Sequence, residues 1–305
     1  MNFTAKDVAA LREKTGCGMM DCKKALTEAD GDFDKAIEVL REKGLAAQAK
    51  KAGRIAADGM VDVYIDQEKK IGVIIEVNSE TDFVARNAEF KELVSGAAKA
   101  AAYNNPKNVE ELLKCKFEDT DFTVEDILRE KILKIGENMN IRRFERLEGE
   151  LVSYVHGGGS AAAIALFETT NANEKFKEAG KNICMQIVAM TPAYLSKESV
   201  PADVVEHEKN ILLAQIKNDP KFANKPEQVL EKMIAGKINK FYQETCLLEQ
   251  AYVKEPKISV GQYLDQVSKE IGADIKLVKF VTYEKGEGLE KRTDDFADEV
   301  ARMTK

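Results

Sequence analysis

The stretch Val77-Asn78-Ser79-Glu80-Thr81-Asp82-Phe83-Val84-Ala85-Arg86-Asn87 decides how the chain is read. An apolar run, Ile71 to Val77, ends in it, and an Ala-rich helical stretch from Ala88 to about Tyr103 follows. The polar block between them supplies helix-start residues. Ser79 with Asp82 three positions on has the capping-box shape, and Thr81 is a second N-cap candidate. Asp82 and Phe83 therefore stand side by side on a strand-to-helix corner, a place where a rigid scaffold projects side chains outward. Two readings of Phe83 follow. With Val84 it is a first core residue of the next helix, as the burial habits of apolar side chains suggest. Alternatively Asp82 and Phe83 form a protruding wedge that enters a partner.

Working outward, Gly59 to Ile65 alternates apolar and polar residues, and a charged turn, Asp66 to Lys70, joins it to Ile71–Val77. The pair reads as a β-hairpin. Helices are predicted after it at Ala88–Tyr103, Asn108–Lys114 and Val124–Gly136. About ninety residues later the order recurs: Leu151 to Val155, the turn His156-Gly157-Gly158-Gly159-Ser160, then Ala162 to Glu168. Phe176-Lys177-Glu178 echoes Phe90-Lys91-Glu92, and Tyr154 matches Tyr64. This is an internal duplication of two α+β subdomains, each an antiparallel sheet covered on one face by helices. The segments Ile141–Phe144 and Asp274–Val281 complete the sheets. In the second copy Thr169-Thr170-Asn171-Ala172-Asn173 stands where the first has the Thr-Asp-Phe-Val corner. Packing would be needed in both halves, so this asymmetry favours the wedge.

The flanks are helical. Thr4 with Asp7 opens a first short helix, stopped at Thr15-Gly16. A second runs from Met19 to about Ala29, and a third carries Phe33, Ala36, Ile37 and Leu40 on one face before Gly44 stops it. Residues 1–54 thus form a three-helix module of the ubiquitin-associated type. The core subdomains take 55–147, and 148–202 with 257–285. Residues 203–256 read as an inserted antiparallel helical hairpin with Pro220 and Pro226 near its tip. Residues 286–305 form a C-terminal module, with a helix from Asp294 or Asp295 presenting Phe296, Val300 and Met303.

Composition excludes several classes. The 305 residues carry a net charge of −7, with no run of five like charges, so a nucleic-acid face is not expected. No apolar run nears the roughly 18 residues that span a bilayer. The start of the chain lacks a secretory or transit pattern. Five scattered cysteines suit a reducing cytoplasm, and with two histidines a His-rich metal site is excluded. Neither a cofactor nor a catalytic set is expected. The His156-Gly157-Gly158-Gly159 turn has no Gly-x-Ser-x-Gly elbow beside it, which weakens a hydrolase of the esterase kind using Ser160. A thiol enzyme using Cys17 and a general adaptor protein are its rivals.

Thr15-Gly16-Cys17-Gly18-Met19-Met20-Asp21-Cys22-Lys23-Lys24-Ala25-Leu26 and Thr81-Asp82-Phe83-Val84-Ala85 resemble two signatures of the bacterial translation elongation factor Ts family. Lys134 to Arg143, Tyr154-x-His156-Gly157 and Val260-Gly261-Gln262 resemble further family segments in the same order. Cys17 stands where a small residue such as Ala is usual. The resemblance implies a guanine-nucleotide exchange factor for GDP-bound elongation factor Tu, with no bond chemistry of its own. It implies that Phe83, with Asp82 beside it, wedges near the partner's Mg²⁺ site, while Thr81 and Val84 shape the corner. Arg12, Met19 and Met20 would touch the partner's nucleotide-binding domain, and His156-Gly157 another partner domain. Oligomeric state stays open between a homodimer and a 2:2 complex, with the hairpin meeting either a second copy or the partner.

Overall fold

The structure, a computed structural model, describes residues 3–15, 17–118, 120–218 and 226–290. It combines helices with antiparallel sheet and separates into two units. The first takes residues 1–147, 155–162 and 283 onward; the second takes 148–154 and 163–282.

The first unit opens with α1 (Ala5–Thr15), α2 (Met19–Glu28) and α3 (Phe33–Lys51). It continues through β1 (Asp58–Asp66), β2 (Ile71–Ser79), α4 (Asp82–Arg86), α5 (Ala88–Asn104), α6 (Val109–Lys114), α7 (Val124–Ile135) and β3 (Met139–Glu148). The Asp7 carboxylate accepts from the Thr4 amide and hydroxyl at 2.6 and 2.8 Å, which fixes the start of α1. Val8, Leu11, Cys22, Leu26, Ala36 and Leu40 close the bundle's core. The expected stop at Gly44 does not occur, and α3 runs on to Lys51. Gly44 is buried against Arg129 of α7, so tertiary packing overrides the low helix propensity of glycine.

The sheet order is β1-β2-β3, with β1 and β2 antiparallel from Asp58↔Ser79 to Asp66↔Ile71. Val73, Ile75 and Val77 pack with Phe90, Leu93, Ala97, Leu128 and Ile132 of the covering helices. The expected alternation in β1 fails at Met60 and Val61, which are both buried. The 157–160 turn explains this: the Val61 amide donates to the Gly159 carbonyl at 2.8 Å. Gly159 has φ +103°, and a Cβ there would lie 2.7 Å from the Met60 Cβ.

β2 also holds a buried charge. Glu76 is fully enclosed and accepts from Arg142 at 3.0 Å, Arg143 at 2.6 Å, Asn78 at 3.1 Å and the Gly286 amide at 2.8 Å. Burial alone would raise its pKa. The bonds from Gly286, Asn78, Arg143 and Arg142 outweigh that and hold it below the usual range.

In the second unit β4 (Glu150–His156) and β5 (Ala161–Thr169) lead into α8 (Glu174–Met190). The antiparallel helices α9 (Ala202–Asn218) and α10 (Glu227–Thr245) pack on each other. The chain returns through β6 (Ala251–Tyr252), β7 (Glu255–Ser259), α11 (Val260–Ile271) and β8 (Ile275–Glu284). The second sheet has the order β4-β5-β8. Phe176 opens α8 as Phe90 does α5; both rings are buried, and Phe176 meets Phe167 edge-on at 5.3 Å. The small β6–β7 hairpin has no counterpart in the sequence reading. The stop at Gly16, the hairpin tip at Pro220 and the terminal helix with Phe296, Val300 and Met303 lie outside the described residues.

Candidate functional site

The corner after β2 is a single turn of helix whose two central residues diverge. Val84 is 6% exposed and joins the sheet–helix core, while Phe83 is 79% exposed. Successive residues on a helix point about 100° apart, so seating one of two adjacent apolar side chains turns the other outward. The first-core-residue reading therefore holds for Val84 and fails for Phe83. Asp82 pairs with Arg86 at 2.9 Å on the same exposed turn. Such a surface pair is worth only ~0–1 kcal/mol, so it orients the carboxylate rather than holding the fold.

The N-cap is Thr81, whose hydroxyl accepts from the Val84 amide at 3.4 Å. The expected box between Ser79 and Asp82 does not form. Ser79 is still in β2, its hydroxyl donates to the Thr81 carbonyl at 2.9 Å, and Asp82 is engaged with Arg86.

Two glutamates that the sequence reading left without a role fix this corner. Glu137 accepts from the Thr81 amide at 3.0 Å and the Thr81 hydroxyl at 2.7 Å. Glu80 accepts from the Asn138 amide at 2.6 Å and from Arg54 at 3.3 Å. The corner and the loop after α7 thus cap each other's main chain. Both glutamates lie inside or beside motifs quoted above, one before Thr81-Asp82-Phe83 and one in Lys134–Arg143. That adjacency was the available signal.

The other candidates are placed separately in the first unit. Arg12 is exposed on α1, and Met19 and Met20 are 44% and 62% exposed at the start of α2. His156 and Gly157 lie exposed at the tip between β4 and β5. Gly157 has φ +55°, a left-handed conformation that glycine adopts without strain. The Ser160 hydroxyl donates to the main-chain carbonyl of His156 at 3.1 Å. Burial first, helped by Glu130, Cys22 and Asp21, pushes the Cys17 thiol up to about 11, the reverse of an activated nucleophile. Among the described residues no group of three or more His, Cys, Asp or Glu side chains could hold a metal ion. No described helix is long and apolar enough to cross a membrane.

Comparison with known proteins places this geometry in context. A family model described as "Elongation factor TS" matches residues 80–287, which begins at the corner itself. Elongation factor Ts of Clostridium botulinum (strain 657 / Type Ba4) is 50% identical over 305 residues, covering 99% of this chain and 98% of the relative. Elongation factor Ts of Clostridium perfringens (strain SM101 / Type A) is 50% identical over 304 residues, covering 99% of each. The chain belongs to the elongation factor Ts family.

Proposed function

We propose that this translation elongation factor is a guanine-nucleotide exchange factor for GDP-bound elongation factor Tu. The observation that carries the reading is the Phe83 ring, 79% exposed on a corner tied down by Glu80 and Glu137. A large exposed aromatic on a stiff support gains most of its burial only when a partner covers it. On this reading Phe83 and Asp82 enter the GTPase beside its Mg²⁺ and phosphate site, where the metal offsets phosphate charge. Thr81 and Val84 hold the corner's shape. The factor favours a partner state that grips the diphosphate weakly. By linkage, bound nucleotide weakens the factor's own hold to the same degree, so GDP leaves, GTP enters and the factor departs.

Arg12, Met19 and Met20 supply further contacts from the N-terminal module, and Met is suited to adaptable packing. The His156-Gly157 tip reaches another partner domain. The division into a module at 1–54, subdomains at 55–147 and at 148–202 with 257–285, an inserted hairpin at 203–256 and a terminal module at 286–305 belongs to the same reading. So do a cytoplasmic setting and association as a homodimer or a 2:2 complex.

The test is release of labelled GDP from elongation factor Tu with and without this chain. Release that accelerates with added factor supports the proposal. Release at the spontaneous rate, with the two proteins shown to be folded, removes it.

A further inference from the structure

We propose that Glu130 is a protonation-controlled lock on the seat that joins the N-terminal three-helix bundle to α7. With a neutral carboxyl the bundle stays seated, and with a carboxylate the seat loosens. This stands on the seat alone and holds whatever meets the Phe83 corner.

The seat is a contact of α3 with α7 inside the first unit. Lys51 donates to the Ile132 carbonyl at 3.1 Å, Arg41 lies 5.1 Å from the centre of the Phe122 ring, and Leu133 packs on the bundle's core. Between the two bodies is a cleft whose walls include Thr15, Cys17, Ile37, Leu40, Leu133 and Glu130. Glu130 is half-buried there, and among the described residues no hydrogen bond or ion pair involves its carboxylate.

The surrounding charges are engaged elsewhere. From α7, Arg129 pairs with Glu125, Asp126 is bonded to Thr123, and Lys131 and Lys134 pair with Glu89 of α5. Lys131 also meets Glu92 of α5, and Arg41 of α3 covers Phe122. Burial raises Glu130 to about 6, opposed by Lys131 and Lys134 and reinforced by Glu89 and Glu92.

The sign follows from linkage. A carboxyl whose pKa is higher when seated binds protons more tightly in the seated form. Seating is therefore fully supported below the ordinary carboxylate range and weakens as pH rises through about 6. If opening returns Glu130 to water with its ordinary value of 4.5, the opening constant grows about eightfold between pH 5 and pH 7.5.

Cys17 reports the opening, because it lines the cleft and is 5% exposed. The full chain is treated with N-ethylmaleimide at several pH values and the modified peptides are quantified. Each rate is divided by that of the same thiol in the urea-unfolded chain at the same pH. Cys22, fully buried inside the bundle, is the internal reference. The expected result is Cys17 protection that falls about eightfold from pH 5 to pH 7.5 while Cys22 stays protected. In Glu130→Gln that slope should vanish. Wild-type protection independent of pH, or a slope that survives in Glu130→Gln, would overturn the proposal. So would parallel loss at Cys17 and Cys22, since the bundle would then be unfolding rather than leaving its seat.

Discussion

Replacing Glu137 by Ala removes the acceptor for both the amide and the hydroxyl of Thr81. Hydrogen bonds to a charged group contribute ~1.5–3 kcal/mol each when water is excluded. Thr81 and Glu137 are only half-buried, so water replaces part of that loss. We expect about 2 kcal/mol of destabilisation for Glu137→Ala, drawn from the lower part of that range. Thr81→Val removes the hydroxyl and with it the N-cap of α4, a loss of ~1 kcal/mol. The double variant should cost less than the sum by about 1 kcal/mol, because the bond between the side chains can be lost only once.

Urea unfolding of the four proteins gives this coupling when followed by amide exchange in β2, whose residues are all buried except the first. That readout isolates the first unit from the second. The same substitution should slow stimulated GDP release at temperatures where the variant is fully folded, since a frayed corner presents Phe83 in many directions. A coupling below about 0.3 kcal/mol would lie within ordinary additivity and refute the claim that these bonds fix the corner.

Glu76→Gln should destabilise the first unit by about 3 kcal/mol, because it leaves Arg142 and Arg143 facing a buried neutral group. The wild-type carboxylate is held below its usual range. Its contribution is therefore present above the unfolded carboxylate pKa and is lost as pH falls through the folded one, so the gap between wild type and variant in urea midpoint should close in acid. Gly159→Ala should cost about 1–3 kcal/mol by calorimetry, since φ +103° is strained for any L side chain and the new Cβ meets Met60. Ser160→Ala should leave stimulated GDP release unchanged within a factor of about two, as its hydroxyl makes a turn bond only. A large loss there would reopen the hydrolase reading.

Much of the scaffold was legible in the chain. The run Ile71–Val77, the glycines at 149 and 157–159 and the echo of Phe90 in Phe176 lead to two strand–turn–strand–helix units, and such units form the two sheets. What escaped was set by contacts distant in sequence. Gly44 reads as a stop until α7 is packed against it. Met60 and Val61 cannot both be placed inside until a turn nearly one hundred residues later closes over them. The N-cap moved from Ser79 to Thr81 because Ser79 remained in the ladder opposite Asp58.

The site was legible in part. A lone Glu in the apolar run of β2 is a visible sign of a buried pair, yet its arginines lie on β3 and its amide donor at Gly286. Nothing local distinguishes Phe83 from Val84, since either could face inward on a five-residue helix. The missing counterpart in the second copy was the one clue, and it pointed outward. Glu80 and Glu137 stand beside that clue without announcing that each caps the other's neighbour.

The central claim is that an exposed ring on a stiff corner does the work, and Phe83→Ala tests it most directly. The ring is 79% exposed, so its removal should leave the melting curve nearly in place. Covering most of an aromatic side chain of ~200 Å² gains up to about 4 kcal/mol at ~25 cal/mol per Å². Factor-stimulated release of labelled GDP from elongation factor Tu should accordingly fall by at least tenfold, and by at most about a thousandfold. A folded Phe83→Ala protein that stimulates release as well as the wild type would contradict the account.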